Sequence, residues 1–287
     1  MEIGFVGVGA MGKAMAGHCA RAGFAVKAFD TDAAALAAAT EGPVEAAAGL
    51  AAIAACDVAI VVVSTDDQSR GVVTALLEAG PKDGMVIVVA ATNHPATMIE
   101  LARDCAAKGV GFVDAPVCYG LKGAIDGDLV SLCGGDAGDI EKVRPVLMSY
   151  SRSVEHLGPT GCGQLGKTCN NMMHWAACVA NYEVLSLAKS CGIDAQEMRE
   201  TLLKCPARNT TLERWDTTRF TWHEKDLDVA LDLSQRAGLS LPLFGAVDQL
   251  VKRLGPDKVK ALLYGEETEY LGQTVRARPL GEVTGQS

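Results

Sequence analysis

Two hydrophobic rhythms divide the chain. Residues 3–8 (IGFVGV) form a short apolar run, and similar runs recur at 25–29 (AVKAF), 57–64 (DVAIVVVS) and 84–92 (GMVIVVAAT). Between them lie alanine-rich stretches of helical character, the first running from Gly9 to Gly23. Val/Ile-rich strands separated by helices predict a parallel sheet covered on both faces. After about Gly161 such runs stop. Helix-forming sequence continues, punctuated by Gly192, Pro206, Gly238, Pro242 and Pro256, which predicts an all-α second half. The pattern predicts two domains, 1–160 and 161–287, the second opening on a long helix and ending in a polar tail from about residue 265.

Composition then excludes several classes. With 49% hydrophobic and 21% charged residues over 287 positions, the chain has a globular balance. A formal net charge of −9 argues against a broad nucleic-acid surface. The ten cysteines are scattered singly, with no C-x-x-C pair, and Cys56 and Cys133 sit in apolar runs where a reduced thiol packs as a small hydrophobe. That usage predicts a reducing cytoplasm and calls for no metal. Residues 1–9 read as a strand, not as a signal sequence. The longest apolar stretch, Leu50 to Val63, is broken by Asp57 and is too short to span a bilayer, so a soluble protein without a membrane partner is expected.

Candidate chemistry begins at the first turn. Gly7, Gly9 and Gly12 make G-x-G-x-x-G after a strand and at the opening of a helix, with Val8, Ala10 and Met11 filling the motif. The first glycine permits the tight turn, the second lets a pyrophosphate approach the backbone, and the third lets helix and strand pack closely. The helix N-terminus then offers free N–H groups and a positive dipole end to phosphates. Asp30 ends the second strand, where a carboxylate accepts hydrogen bonds from the ribose hydroxyls of NAD and repels a 2′-phosphate. Asp32 is placed to cap the next helix, leaving Asp30 for the ribose, so NAD is expected over NADP. Val63, Ser64 and Thr65 after the third strand, and Thr92 after the fourth, are cofactor-contact candidates by position at the carboxyl end of the sheet.

A second signal lies in QLGKTCNNMMHWAAC, residues 164–178. Lys167 is the sole charged residue between Glu155 and Glu183. Asn170, Asn171 and His174 follow it on one helical stripe. Such a lysine either sits at a helix end and reaches water, or is kept for chemistry. Hydride transfer to or from a carbonyl carbon needs a proton partner for the oxygen, and lysine is one of the side chains that serve.

Four blocks in order, GFVGVGAMGKAMA (4–16), VDAPVCYG (113–120) with GDLVSLCGG (127–135), GKTCNN (166–171) and HEKDLDVAL (223–231), resemble those of the β-hydroxyacid dehydrogenase family. That family includes 3-hydroxyisobutyrate dehydrogenases and tartronate semialdehyde reductases, within a wider 6-phosphogluconate dehydrogenase-like group. The resemblance implies a Rossmann-type α/β N-terminal domain, an all-α C-terminal domain begun by a long interdomain helix, and a substrate cleft between them. It implies an NAD-dependent dehydrogenase of small hydroxyacid-like molecules, assembled as a homodimer or homotetramer through the α-domain. By the same resemblance Lys167 is the general acid/base, and Asn171 hydrogen-bonds the substrate or positions the lysine. Lys225 comes close to the nicotinamide, and Asp226 is a local structural partner. His174 is left open between a ligand contact and a structural residue.

One block departs from the family. Its usual DAPVSGG, whose serine and glycines wrap the substrate carboxylate, reads DAPVCYG here, with Cys118, Tyr119 and Gly120. A thiol is a weaker donor than a hydroxyl, and tyrosine replaces a residue whose backbone approaches ligands freely. These three are the expected substrate contacts, and the departure puts the usual small hydroxy acids in question. Arg208, Arg214 and Arg219 are alternative anion anchors or plain surface residues; the sequence leaves both open. A nucleophilic Cys118 would need a base and oxyanion donors, and none stands out nearby. Two other readings are an imine reductase, a relative that usually replaces the catalytic lysine, and a non-catalytic NAD-binding module. Intact Lys167 and Asn171 disfavour both.

Overall fold

The computed structural model describes residues 1–285. It divides into two compact units, Met1–Lys167 and Thr168–Ser287. The first holds a nine-stranded sheet. Its strands are β1 (Glu2–Val6), β2 (Ala25–Phe29), β3 (Glu45–Ala46), β4 (Val58–Val61), β5 (Val86–Val89), β6 (Gly111–Asp114), β7 (Val117–Cys118), β8 (Leu129–Gly135) and β9 (Ser151–Gly158). They lie in the order β3-β2-β1-β4-β5-β6-β8-β7, with β9 paired to β8. From β3 through β6 every pairing is parallel; β8 runs antiparallel to β6 and β7.

Helices α1 (Ala10–Arg21), α2 (Ala33–Ala39), α3 (Leu50–Ala54), α4 (Asp66–Glu78), α5 (Pro95–Ala106), α6 (Gly120–Asp126) and α7 (Ala137–Met148) connect the strands. Because side chains alternate across a strand, Ile60 and Val88 enter one core with Ile3, Phe5 and Met15, while Ala59, Val61 and Ile87 enter the other with Leu76 and Met98. Two covered faces explain why these strands read as unbroken apolar runs.

The four expected strands are present; β2 matches its run, while β1, β4 and β5 end earlier than theirs, so the residues just past them fall in loops at one edge of the sheet. Five further strands, β3 and β6 to β9, lie outside those four runs, β8 on the apolar run around Cys133. In β9 the run SRSVEHLG buries only Ser151 and Val154, so its pattern carries no apolar signature.

Helix α8 (Cys162–Ser190) opens in the first unit and continues into the second. There follow α9 (Ala195–Leu202), α10 (Thr210–Glu213), a 3₁₀ turn at Trp215–Thr217, α11 (His223–Ala237), α12 (Pro242–Val251), α13 (Pro256–Tyr264) and a final α14 (Leu280–Thr284). The core of this unit gathers Trp175, Tyr182, Trp215, Leu227, Val251 and Leu262. Lys189 is buried within it and donates to the carbonyls of Leu262 at 2.9 Å and Gly265 at 2.5 Å, closing the C-terminal end of α13.

The expected polar tail is corrected here. Residues 267–276 form an antiparallel hairpin, β10 (Glu267–Tyr270) with β11 (Gln273–Arg276). Val275 is buried and Tyr270 packs on the helical core, its ring centroid 5.0 Å from that of Tyr182 and tilted 45° to it, so the second unit is helical, as expected, with one hairpin added. The last two residues of that tail, Gln286 and Ser287, lie outside the described residues. Among the described residues no helix is long and apolar enough to cross a membrane.

Candidate active site

The glycine turn between β1 and α1 has the form its motif requires. Gly7 adopts φ +88°, and a Cβ there would strike the Val62 carbonyl, so the chain admits only glycine. A Cβ on Gly12 would strike the Gly7 carbonyl, which fixes how closely α1 sits on the turn. A Cβ on Gly9 would meet nothing within 4 Å. Gly9 also brings no side chain to cap α1, and no acid stands in the first turn. Open space over uncapped N–H groups suits a pyrophosphate, so these residues fit a dinucleotide.

Asp30 lies just past β2, with one carboxylate oxygen accepting the Val8 N–H at 2.7 Å and the other accepting the Asp32 N–H at 2.9 Å. Asp32 accepts the Ala34 and Ala35 N–H groups as the cap of α2. The division of labour between the two acids is therefore as the sequence suggested for Asp32. Asp30 has, in addition, a part in shaping the glycine turn.

The expected cofactor residues after β4 and β5 share that edge, whereas Lys225 lies on α11 of the second unit. Val63 and Ser64 follow β4, and Thr65 is the N-cap of α4, with its hydroxyl on the Gln68 N–H at 3.2 Å and the Gln68 amide oxygen on the Ser64 and Thr65 N–H groups. Thr92 follows β5, half-buried between buried Ala91 and Asn93. All lie at the carboxyl ends of parallel strands, where open α/β sheets bind ligands.

Asp114, at the end of β6, was not singled out in the sequence. It is fully buried, and its carboxylate accepts the Gly161 N–H at 2.7 Å and the Gln164 N–H at 2.8 Å, capping α8 across the fold. Burial pushes its pKa up to about 6, against the pull of those backbone donors. Gln164 was missed as well: its amide oxygen accepts the Asn93 N–H at 2.9 Å and its amide nitrogen donates to the Ala91 carbonyl at 2.8 Å. The signal for both is a single polar residue inside an otherwise uncharged stretch, Asp114 in VDAPV and Gln164 ahead of Lys167 in QLGK.

Lys167 follows one helical turn beyond Gln164. It is half-buried, and no hydrogen bond or ion pair engages its ammonium among the described residues. Asn171, a turn further along α8, is half-buried and its amide oxygen accepts from Asn170 at 3.0 Å.

The block at 113–120 shows its departure directly. Cys118 is 7% exposed at the end of β7. Tyr119 takes φ +85°, a left-handed conformation costly for a bulky residue, and Gly120 follows at φ +60°. The Arg152 guanidinium lies 4.2 Å from the centroid of the Tyr119 ring, and the tyrosine also packs on the first core. Its ring is thus engaged inside the first unit.

Within the second unit, the Trp175 indole N–H donates to Asp226 at 2.9 Å, tying α8 to the helix start that carries Lys225. This is the local structural role expected of Asp226. His174 Nδ1 pairs with the Thr211 hydroxyl at 2.9 Å. Its neighbour Cys178 is fully buried, and burial drives the thiol pKa far up, so the pair does not make a thiolate. Arg208 and Arg219 are exposed and Arg214 is half-buried.

Two family models together cover most of the chain. The NAD binding domain of 6-phosphogluconate dehydrogenase matches residues 2–158, and the NAD-binding domain of NADP-dependent 3-hydroxyisobutyrate dehydrogenase matches residues 161–261. The chain is 30% identical to 2-(hydroxymethyl)glutarate dehydrogenase of Eubacterium barkeri, over 87% of its own length and 88% of that protein's. It is 32% identical to 3-hydroxyisobutyrate dehydrogenase of Pseudomonas aeruginosa, over 75% and 73%. Among solved structures, the 3-hydroxyisobutyrate dehydrogenase of Mycobacterium tuberculosis with L-serine superposes with a TM-score of 0.79 at 26% identity, covering 88% of this chain and 93% of that one.

Proposed function

Since the chain belongs to the β-hydroxyacid dehydrogenase family and is thereby an NAD-dependent oxidoreductase of CH–OH groups in hydroxyacid-like molecules, we propose that Lys167 is its general acid/base. When bound, the dinucleotide supplies the hydride chemistry. The chain's own residues bind it, orient it and handle the proton. Gly7, Val8, Gly9, Ala10, Met11 and Gly12 hold the pyrophosphate, Asp30 takes the ribose hydroxyls, and Val63, Ser64, Thr65 and Thr92 border the cofactor. Lys225 keeps the nicotinamide-side role its sequence block implies. In the oxidative direction the Lys167 amine takes the proton from the substrate hydroxyl; in the reductive direction its ammonium returns one to the carbonyl oxygen. Asn171 orients the same oxygen. Cys118 and Gly120 lie nearest the substrate carboxylate in this reading, with Tyr119 contributing its backbone.

The observation that carries this assignment is Lys167 itself, half-buried on α8 with no partner for its ammonium among the described residues. A lysine in that setting is available to a ligand. The test is Lys167→Ala: turnover should fall by roughly two to four orders of magnitude, the usual range for a positioned acid/base, while NADH affinity stays within about threefold. A variant keeping more than about a tenth of the parent's turnover, with chemistry shown to limit the rate, would return Lys167 to an ordinary helix position.

Two coarser features belong to the same proposal. The protein acts as a homodimer or homotetramer through the α-domain, supported by Val184 and Leu187, 49% and 67% exposed on α8; light scattering would give the mass. It works in the cytoplasm, which its ten unpaired cysteines favour.

A further inference from the structure

We infer that Gln164 is a positioning residue of the reaction: it fixes the loop after β5, which carries Thr92, to the turn of α8 that carries Lys167. The inference rests on the acid/base reading of Lys167 and on Thr92 bordering the nicotinamide.

Gln164 is fully buried. Its side-chain amide pairs with the backbone on both sides of Thr92, accepting the Asn93 N–H at 2.9 Å and donating to the Ala91 carbonyl at 2.8 Å. A primary amide facing the C=O of one residue and the N–H of the next but one reproduces the pairing of a neighbouring strand. Two bonds fix orientation where one would leave a hinge. The Gln164 N–H itself is held by Asp114 at 2.8 Å, so the glutamine cannot shift along the helix axis without breaking a second buried contact. On the loop side, the Asn93 amide oxygen accepts the buried Ser69 hydroxyl at 3.0 Å, which anchors the same residue to α4.

Gln164 therefore joins three anchored elements at one point. Lys167 is three residues further along the same helix, a rise of roughly 4.5 Å at 1.5 Å per residue. Hydride and proton leave or reach adjacent atoms of one substrate, so the nicotinamide face and the lysine must keep a fixed separation. An error of about 1 Å in such a geometry costs up to about a hundredfold in rate. A buried polar residue used only to stabilise the fold would weaken folding and leave the chemical step alone. The two roles separate by measurement.

The experiment uses the full chain with NADH bound. Gln164→Met keeps the volume and removes both side-chain bonds. We expect kcat to fall roughly ten- to a hundredfold, with KM and NADH Kd each changed by less than about threefold. The primary isotope effect with 4-deuterated NADH should rise, and the emission of bound NADH should change as the nicotinamide loop loosens. A folded Gln164→Met enzyme with kcat within about threefold of the parent overturns the inference. If that variant fails to fold, Gln164→Glu decides: it retains the acceptor for Asn93 and loses the donor to Ala91. Its kcat should recover as pH falls and the protonated carboxyl donates to that carbonyl, while a kcat equal to the parent's at every pH overturns the inference. Lys167→Ala, run alongside, separates the two claims. Lost turnover there with an unaffected Gln164→Met sinks only the positioning role, whereas an active Lys167→Ala sinks the acid/base reading. Should the parent reduce none of the carbonyl acids offered, the emission of bound NADH still decides, and an unchanged spectrum in Gln164→Met overturns the inference.

Discussion

Asp30 accepts the Val8 N–H at 2.7 Å, so the acid proposed to read the ribose also holds the glycine turn in shape. Each of its oxygens has one lone pair engaged by a backbone donor and another to offer. NADH should accordingly bind at least about an order of magnitude tighter than NADPH, whose 2′-phosphate would face that carboxylate in the proposed site. Asp30→Ala should narrow the gap, because NADH loses its ribose acceptor and NADPH loses the repulsion, while the turn, with the Val8 N–H unpaired, loosens for both nucleotides alike. Fluorescence titration of both nucleotides against both proteins gives the comparison. Equal affinities in the parent would remove Asp30 from this role.

Asp114 gives a pH-dependent expectation. Burial raises its folded pKa from 3.8 to about 6, with the N–H groups of Gly161 and Gln164 pulling the other way. Between those two values the unfolded chain has released the proton and the folded chain still holds it. The folded state then binds more protons, so this group's contribution to stability is largest at low pH and declines as pH rises through that window. Asp114→Asn removes the titration and turns an amide N–H₂ toward a backbone donor, a mismatch costing about 1–3 kcal/mol. Urea unfolding at several pH values should show the variant less stable throughout, with the deficit greatest near the bottom of the window and smaller at neutral pH. A deficit independent of pH would mean that Asp114 ionises in the folded protein as it does in the unfolded chain.

The parts of the fold legible in the sequence are those where burial imposes one pattern. Strands β4 and β5 are buried at every position, so their residues had to be apolar. Asp30 and Asp32 separate by position alone, because a helix cap must immediately precede its helix. The hairpin β10–β11 was illegible because ETEY and QTVR are mostly exposed and only Val275 is fully buried. Its turn, Leu271 and Gly272 with φ of 52° and 78°, puts a leucine where asparagine or glycine would have announced it. The Gln164 contact was illegible for another reason: its partner Asn93 is 71 positions away, and no local spacing encodes a pairing made by the fold.

Lysine burial shows the same limit. The uncharged run around Lys167 sets that residue apart in the sequence, yet Lys189 is the more deeply buried of the two, at 4% exposure. Burial lowers the Lys189 pKa below its usual 10.5, and its ammonium is matched by carbonyls of α13 and by Gly265. Lys189→Met retains the stem and strands those carbonyls, so stability should drop by about 1–3 kcal/mol with NADH affinity unaffected. Chemical denaturation measures the first and nucleotide titration the second. A methionine variant as stable as the parent would show that desolvating the ammonium costs as much as its bonds return.

Cys118 and Tyr119 are where the chain leaves its family, and the structure separates their effects. The Tyr119 ring is turned onto Arg152, which also reaches Asp128 at 3.2 Å, and this stack offsets a left-handed backbone at φ +85°. Such a backbone costs on the order of 1–3 kcal/mol in a non-glycine residue. A cation–π contact at a partly exposed site returns about 0.5–1 kcal/mol. Tyr119→Gly relieves the strain and loses the stack, so its net effect on stability should lie within ~1 kcal/mol of zero. Arg152→Ala should then be harmful beside Tyr119 and nearly neutral in the Tyr119→Gly background, as a double-mutant cycle would show. Because the ring is engaged inside the first unit, Tyr119→Gly alone should change substrate preference little. Cys118→Ser restores a hydroxyl donor at the end of β7, and should by itself raise kcat/KM for a small hydroxy acid such as 3-hydroxyisobutyrate relative to a bulkier one. The ratio of the two kcat/KM values is the specificity. If Tyr119→Gly shifts that ratio and Cys118→Ser does not, the tyrosine ring leaves Arg152 in the working enzyme and lines the substrate pocket after all.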